Sequence, residues 1–239
     1  MTAPTLRLSG RAFIDDVAIF GPLSLDVPPG WTCLLGPSGV GKSTILRLFA
    51  GLDDGVRLDG TVGALDGRPL AGRVALMAQG DLLMPWLDVL GNVALGAQLR
   101  GDRAERDRAR DVLARVGLAD HAGKKPHALS GGQRQRAALA RTLMEDRPVV
   151  LLDEPFSALD ARTRSQMQDL AADLLKGRTV LHVTHDAAEA ARLGDRVLLM
   201  GGEGIAPVAV PGTAPPRGVD APGTLRFQAA LLRRLMAVE

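Results

Sequence analysis

The feature that most constrains this chain is the run Gly36, Pro37, Ser38, Gly39, Val40, Gly41, Lys42, Ser43 and Thr44. A short apolar run, residues 31–35, precedes it, and an amphipathic run, residues 45–50, follows it. The order reads as strand, glycine loop, helix, which commits this part of the chain to an α/β arrangement. Glycines let such a loop curl tightly and bring its backbone N–H groups against an anion with no Cβ in the way. The helix that follows presents roughly half a positive charge at its N-terminus. Lys42 adds a point charge aimed at terminal phosphates, and the Ser43 hydroxyl suits a hard cation such as Mg2+. The run predicts a cradle for the phosphates of a nucleoside triphosphate. By itself it leaves open which of many nucleotide-hydrolysing families this is.

Three other stretches carry chemistry. A continuous apolar strand, residues 148–152, ends in the paired carboxylates Asp153 and Glu154, and Pro155 stops it. A fully apolar run implies burial on both faces, as in a parallel sheet flanked by helices. Asp153, at the tip, is placed to hold the shell of a Mg2+ ion, while Glu154 projects elsewhere and can polarise a water. A strand over residues 178–184 leads to His185, placed to hydrogen-bond a γ-phosphate and hold the attacking water. His182 lies in mid-strand and reads as core; strand alternation points it away from His185, so the pair makes no metal site. His121 and His127 carry no separable signal. Ser130, Gly131, Gly132 and Gln133 form the third stretch: Ser130 sits where an N-cap belongs, and the glycines expose the N–H groups of a helical first turn. One phosphate chain rarely needs two helix N-termini from one protomer. The economical arrangement is a dimer in which each chain's second site covers the nucleotide held by the other's first.

Around these, residues 6–8, 12–19, 23–27 and 31–35 read as strands broken by Gly10, by Gly21-Pro22 and by residues 28–30. Short strands are expected at 56–58 and 61–65. Aromatic residues make up only 3% of the chain and include no Tyr, so Phe13 and Phe20 stand out as candidates to stack on a nucleotide base. A place in the sheet core is the alternative for each. A strand over residues 73–77 leads to Gln79, whose amide can reach a metal, a water or a loop. Residues 80–101 are Leu-rich and irregular around Met84-Pro85-Trp86-Leu87, either a docking groove for a partner element or the ordinary packing of a helical lobe. An amphipathic helix is expected over residues 103–116, with Ala104, Ala109, Val112, Leu113 and Val116 on its apolar face. Helices follow at 133–145, 161–176 and 187–193, and a strand at 196–200. Residues 206–223 are dense in Pro and Gly and predict a loop or strap. The last stretch predicts a packed helix through Phe227, Leu231 and Leu235.

Composition narrows the partners. A net charge of +2 in 239 residues predicts no nucleic-acid partner. Cys33 is the single cysteine, so no internal disulfide forms and a reducing compartment is expected. Residues 1–10 lack the pattern of a secretory signal. No apolar run approaches the ~20 residues that span a bilayer. A soluble chain is expected, with any membrane role exercised through a partner.

The order of these pieces resembles the ATP-binding subunit of an ABC transporter, over about residues 5–205. Residues 36–44 match the Walker A pattern, Gln79 the Q-loop, residues 129–133 the signature LSGGQ, and residues 149–154 the Walker B strand with its catalytic Glu. Residues 157–160, ending in Asp160, match the D-loop, and His185 the switch histidine. The resemblance implies a P-loop NTPase core with a mostly parallel sheet, an N-terminal antiparallel β subdomain and an inserted α-helical subdomain. One domain would then span residues 1–239, with the core and β subdomain at 1–79 and 146–205, the helical subdomain at 80–145, and a strap and helix at 206–239. It implies ATP and Mg2+, the ion held by Ser43, Gln79 and Asp153, with Glu154, His185 and Gln79 in catalysis. Phe13 would stack on adenine where the family often has Tyr. The family works as a head-to-tail homodimer with residues 130–133 acting in trans. Its helical lobe receives integral membrane permease subunits, here near Leu83 to Leu90, and a periplasmic solute-binding protein acts indirectly. The place implied is the cytoplasmic face of the inner membrane, peripherally bound. Ala78 and Gly80 flank Gln79 where the family often has an aromatic residue before it, a departure that touches the hinge and not ATP binding.

The run Leu82 to Val93 and the run Gln166 to Leu170 resemble the nitrate, sulfonate and taurine importers, a branch with relatives serving thiamine and its pyrimidine precursor. Three other readings compete, one of them a cassette that binds ATP without turning it over, against which the intact Glu154 and His185 argue. A soluble ABC-type ATPase of DNA repair or translation would carry long heptad insertions or two cassettes, and neither is present. A P-loop phosphotransferase would leave residues 129–133 without a task.

Overall fold

The computed structural model describes residues 2–53, 55–102 and 105–238, and the first two positions of the expected 103–116 helix, Arg103 and Ala104, lie outside them. The chain divides into two compact units, Met1–Leu76 with Arg147–Glu154 and Lys176–Glu239, and Met77–Asp146 with Pro155–Leu175. Residues 155–175, grouped with the core on sequence, fall in the second unit.

In the first unit, β1 (Leu6–Ile14) buries Leu6, Leu8 and Ala12 and exposes Arg7, Ser9 and Arg11, the alternation of a sheet with one covered face. It pairs antiparallel with β2 (Val17–Val27) on one side and β4 (Arg57–Ala64) on the other, in the order β2-β1-β4. The chain turns not at Gly10 or Gly21-Pro22, as expected, but at Asp15 and Asp16, whose φ values of 47° and 64° make a two-residue hairpin. Both positions need left-handed backbone, which aspartate tolerates better than most residues. Gly10 instead faces Gly60 across the ladder, so closely that a Cβ on Gly10 would lie 2.3 Å from the Asp59 carbonyl oxygen. The same contact runs through β4, which is one strand where two were expected. Pro22 is accommodated because β2 is an edge strand.

The second sheet of this unit is ordered β5 (Val74–Met77), β6 (Val149–Asp153), β7 (Thr179–Thr184), β3 (Gly30–Leu35), β8 (Arg196–Gly201) and β9 (Gly204–Val208). β6 and β7 are buried along their whole length, as their apolar runs demand. β7 runs parallel to β3 and β6, and β8 parallel to β3. The unexpected β9 closes the edge antiparallel to β8, carrying Pro207 where an outer strand tolerates it. The expected loop therefore starts at residue 209. In register, Leu35 lies opposite Thr184 and Asp153 opposite Val183, so the chain leaves β3, β6 and β7 at one edge of the sheet. That shared edge positions the site.

α1 (Lys42–Ala50) buries Ile45, Leu46 and Phe49 against the sheet in a core with Leu6, Leu8, Leu25, Leu151 and Leu181. Phe20 belongs to this core as well. α7 (Ala187–Leu193) packs against α8 (Pro222–Met236), which buries Phe227 and Leu231 and half-buries Leu235. The strap between them is tied down by buried Arg217, whose guanidinium donates to the carbonyls of Ala191 and Gly194 at 2.9 Å each.

The second unit is helical: α2 (Val89–Val93), α3 (Leu95–Leu99), α4 (Arg106–Arg115), α5 (Gly131–Met144) and α6 (Ala161–Leu174), with 3-10 turns at Ala119–His121 and Pro126–Ala128. α5 is the centre on which α2, α3 and α4 pack. α4 turns Ala109, Val112 and Leu113 inward, and Val116 beyond its end is buried too. Among the described residues no helix is long and apolar enough to cross a membrane.

Candidate functional site

In the first unit the loop from β3 to α1 has the form its sequence predicts. Gly41, at the helix N-cap, has φ 98° and lies against Ile19 and Phe20, where a Cβ would meet their side chains at 3.0 and 3.1 Å. A Cβ on Gly36 would stand 2.4 Å from the Met200 carbonyl oxygen of β8. No side chain caps α1, so the N–H groups of its first turn keep the positive end of the helix open. Lys42 folds back over the loop and donates from Nζ to the carbonyls of Gly36 at 2.8 Å and Pro37 at 2.6 Å. Burial pulls its ammonium below the usual lysine range, against the attraction of Glu154 and Asp153.

Asp153 ends β6, buried, and accepts a hydrogen bond from the Ser43 hydroxyl. Burial pushes its carboxyl above the usual range, Ser43 and Lys42 pull it down, and neighbouring Glu154 adds to the rise. Glu154 has left-handed backbone, φ 49°, a conformation that costs a non-glycine residue about 1–2 kcal/mol. Its N–H donates to the Val183 carbonyl at 3.0 Å, which holds the kink in place. His185, one residue past β7, sets its Nδ1 2.8 Å from Glu154 Oε1. One patch of this unit thus gathers Lys42, Ser43, Asp153, Glu154 and His185.

His182 is fully buried, its Nε2 3.2 Å from Glu189 of α7, as a core histidine. Cys33 is buried beside it and burial raises its thiol well above the usual range. Of the two phenylalanines, Phe20 is in the core, whereas Phe13 is half-buried with the Arg57 guanidinium 4.4 Å over its ring and that of Arg11 5.7 Å away.

In the second unit Ser130 caps α5 through a reciprocal box: Gln133 N–H donates to Ser130 Oγ at 3.3 Å, and Ser130 N–H to Gln133 Oε1 at 2.8 Å. A Cβ on Gly132 would lie 3.1 Å from the Ala158 carbonyl oxygen, and Gln135 bridges the same two stretches by accepting from Ala158 N–H and donating to Ser157 Oγ. Residues 130–133 and 157–160 are thereby one assembly. Asp160 caps α6 by accepting from Thr163 N–H at 3.0 Å, the contact that holds its carboxyl below the usual range. Gln79 lies exposed two residues past β5. Trp86 and Leu82 stand 67% and 61% exposed. The turn between them and α2 is clamped by buried Asn92, which accepts from Met84 N–H and donates to the carbonyls of Met84, Leu87 and Asp88.

Sequence reasoning missed the supporting residues: Gln135, Asn92, Arg217 and, beside the α5 cap, His121. Each is a polar side chain whose partners are distant in sequence or are backbone groups, so no spacing pattern marks it.

A glycine loop on an uncapped helix, beside paired carboxylates at the tip of one parallel strand, defines a P-loop nucleoside triphosphatase. A family model described as ABC transporter matches residues 20–157. The aliphatic sulfonates import ATP-binding protein SsuB of Cupriavidus necator is 46% identical over 237 residues, 96% of this chain and 75% of that protein. The protein of the same name from Delftia acidovorans is 44% identical over 229 residues, 95% of this chain and 89% of its own length. Among solved structures, the dimeric structure of MJ0796, a bacterial ABC transporter cassette, superposes with a TM-score of 0.77 at 28% identity, covering 87% of this chain and all of that one. The chain belongs to the ABC transporter family, as one of its ATP-hydrolysing subunits.

Proposed function

We propose that this chain powers a bacterial importer of aliphatic sulfonates, hydrolysing ATP in a head-to-tail homodimer on the cytoplasmic face of the inner membrane. The observation that carries the reading is that two anion-ready helix N-termini, those of α1 and α5, belong to different units of one chain. On this reading each serves a different nucleotide, one in cis and one on the partner. The names of the relatives support the cargo, and the dimeric cassette supports the assembly.

Residues 36–44 bind the triphosphate, and Lys42 exchanges the Gly36 and Pro37 carbonyls for phosphate oxygens. Phe13 stacks on the adenine with one face while Arg57 covers the other. The Ser43 hydroxyl and Asp153 carboxylate, already hydrogen-bonded to each other, are the hard oxygen donors Mg2+ takes, with Gln79 as a third. When bound between Ser43, Asp153 and Gln79, such an ion would supply positive charge to offset that of the phosphates. Glu154 accepts a proton from the attacking water, and His185 holds its carboxylate in place before turning to the γ-phosphate. Residues 130–133 of the partner protomer cap the phosphates, with Asp160 at the seam. The exposed Trp86 turn, from Leu83 to Leu90, docks the membrane permease, through which a periplasmic solute-binding protein acts indirectly; no nucleic acid takes part.

Reconstitution with its permease and binding protein in vesicles tests the reading. Alkanesulfonate-loaded binding protein should stimulate phosphate release. Stimulation by nitrate or a thiamine precursor instead would overturn the cargo assignment, and no release of phosphate from ATP would overturn the reading as a whole.

A further inference from the structure

The capping box of α5 has a third member. Ser130 N–H is a donor only, so the Gln133 atom facing it at 2.8 Å is Oε1. The other end of the amide, Nε2, then points at the His121 ring, 3.0 Å from His121 Nε2. An amide NH2 is a donor only, so His121 Nε2 must be the acceptor, and the neutral ring carries its proton on Nδ1. Nδ1 is buried with no hydrogen-bond partner among the described residues. A buried donor left in that state is a cost that an apolar side chain of similar size would avoid. What the imidazole supplies in return is the acceptor for Gln133.

Local structure keeps the ring in place. His121 closes the 3-10 turn Ala119–His121, its N–H donating to the Leu118 carbonyl and its own carbonyl accepting from Lys124 N–H, both at 2.9 Å. The ring therefore meets α5 from a separately anchored turn.

We propose that His121 is a positioning residue for the turn at residues 130–133. By fixing the Gln133 amide in the orientation that closes the capping box, it leaves the backbone N–H groups of Gly131 and Gly132 set for a triphosphate held by the partner protomer. This rests on the reading of residues 130–133 as a cap on that nucleotide.

The test measures steady-state phosphate release against Mg·ATP concentration, with a thermal melt, for the full chain. The proteins are wild type, His121→Gln, His121→Asn and the double variant Ser130→Ala/Gly131→Ala. A glutamine carbonyl reaches the place of Nε2, whereas asparagine stops short of it. His121→Gln should keep KM for ATP within about twofold of wild type, and His121→Asn should raise it about fivefold, the loss of one hydrogen bond, with kcat and melting temperature little changed. A purely structural role would lower both melting temperatures and leave KM alone. Wild-type KM in His121→Asn, or equal impairment in His121→Gln, overturns the proposal. If His121→Asn is normal while the double variant has lost turnover, His121 alone is misassigned. If the double variant turns over normally, the reading of residues 130–133 fails and this proposal with it.

Discussion

The proposed chemistry uses two side chains, Glu154 and Lys42, held away from their easiest states. Glu154 sits in left-handed backbone and is bonded to His185, so its carboxylate is aimed before any nucleotide arrives. Glu154→Gln keeps the shape and removes the proposed base. Phosphate release should fall 100-fold or more while ATP affinity, read by equilibrium binding, is retained; normal hydrolysis would show that another group takes the proton. Lys42 stands on two carbonyls of its own loop and is released only to a stronger acceptor. Lys42→Ala should weaken ATP binding at least tenfold, as expected for losing a charge-assisted bond to phosphate, and calorimetric titration checks it. The spacing of residues 36–44 and the carboxylates after an apolar strand made both residues legible in the sequence. The folded-back lysine, the φ of Glu154 and the His121–Gln133 contact were not, because each depends on groups that only the tertiary fold brings within 3 Å.

Among the elements, alternation and apolar runs were enough to place β6, β7, α5 and α7 nearly to the residue, since burial on one or both faces leaves a clear period. The first hairpin was misplaced because glycine and proline were read as punctuation. In fact Gly10 serves a close approach to Gly60, and the turn falls to two aspartates. Asp16→Gly should therefore raise the stability of the protein by about 1 kcal/mol, since glycine adopts φ 64° freely, and a higher melting temperature would record it. β9 went unseen because Pro207 argues against a strand, yet it forms at an edge where a missing N–H costs little. The strap beyond it reads from sequence only as a loop rich in proline. Its anchor is Arg217, which satisfies the last carbonyls of α7. Arg217→Ala leaves those carbonyls buried and unpaired and should cost about 2 kcal/mol or more in denaturant unfolding.

On the proposed reading, each of the two compact units carries one half-site, and a half-site has little use alone. Order along the chain gave the family before any coordinates, because the motifs are local and each sits at an element boundary. The cargo was not legible in the same way; likeness to sulfonate importers is what bears on it. The boundary of the second unit was also hidden, because residues 155–175 return to it after the chain has already re-entered the first. The central claim is that a triphosphate held by residues 36–44 of one copy is capped by residues 130–133 of another. Light scattering of the Glu154→Gln protein with and without Mg·ATP tests this most directly. A 25.1 kDa monomer that doubles its mass only with nucleotide, and fails to do so when Ser130 and Gly131 are both replaced, is the predicted result. A nucleotide-loaded protein that stays strictly monomeric would contradict it.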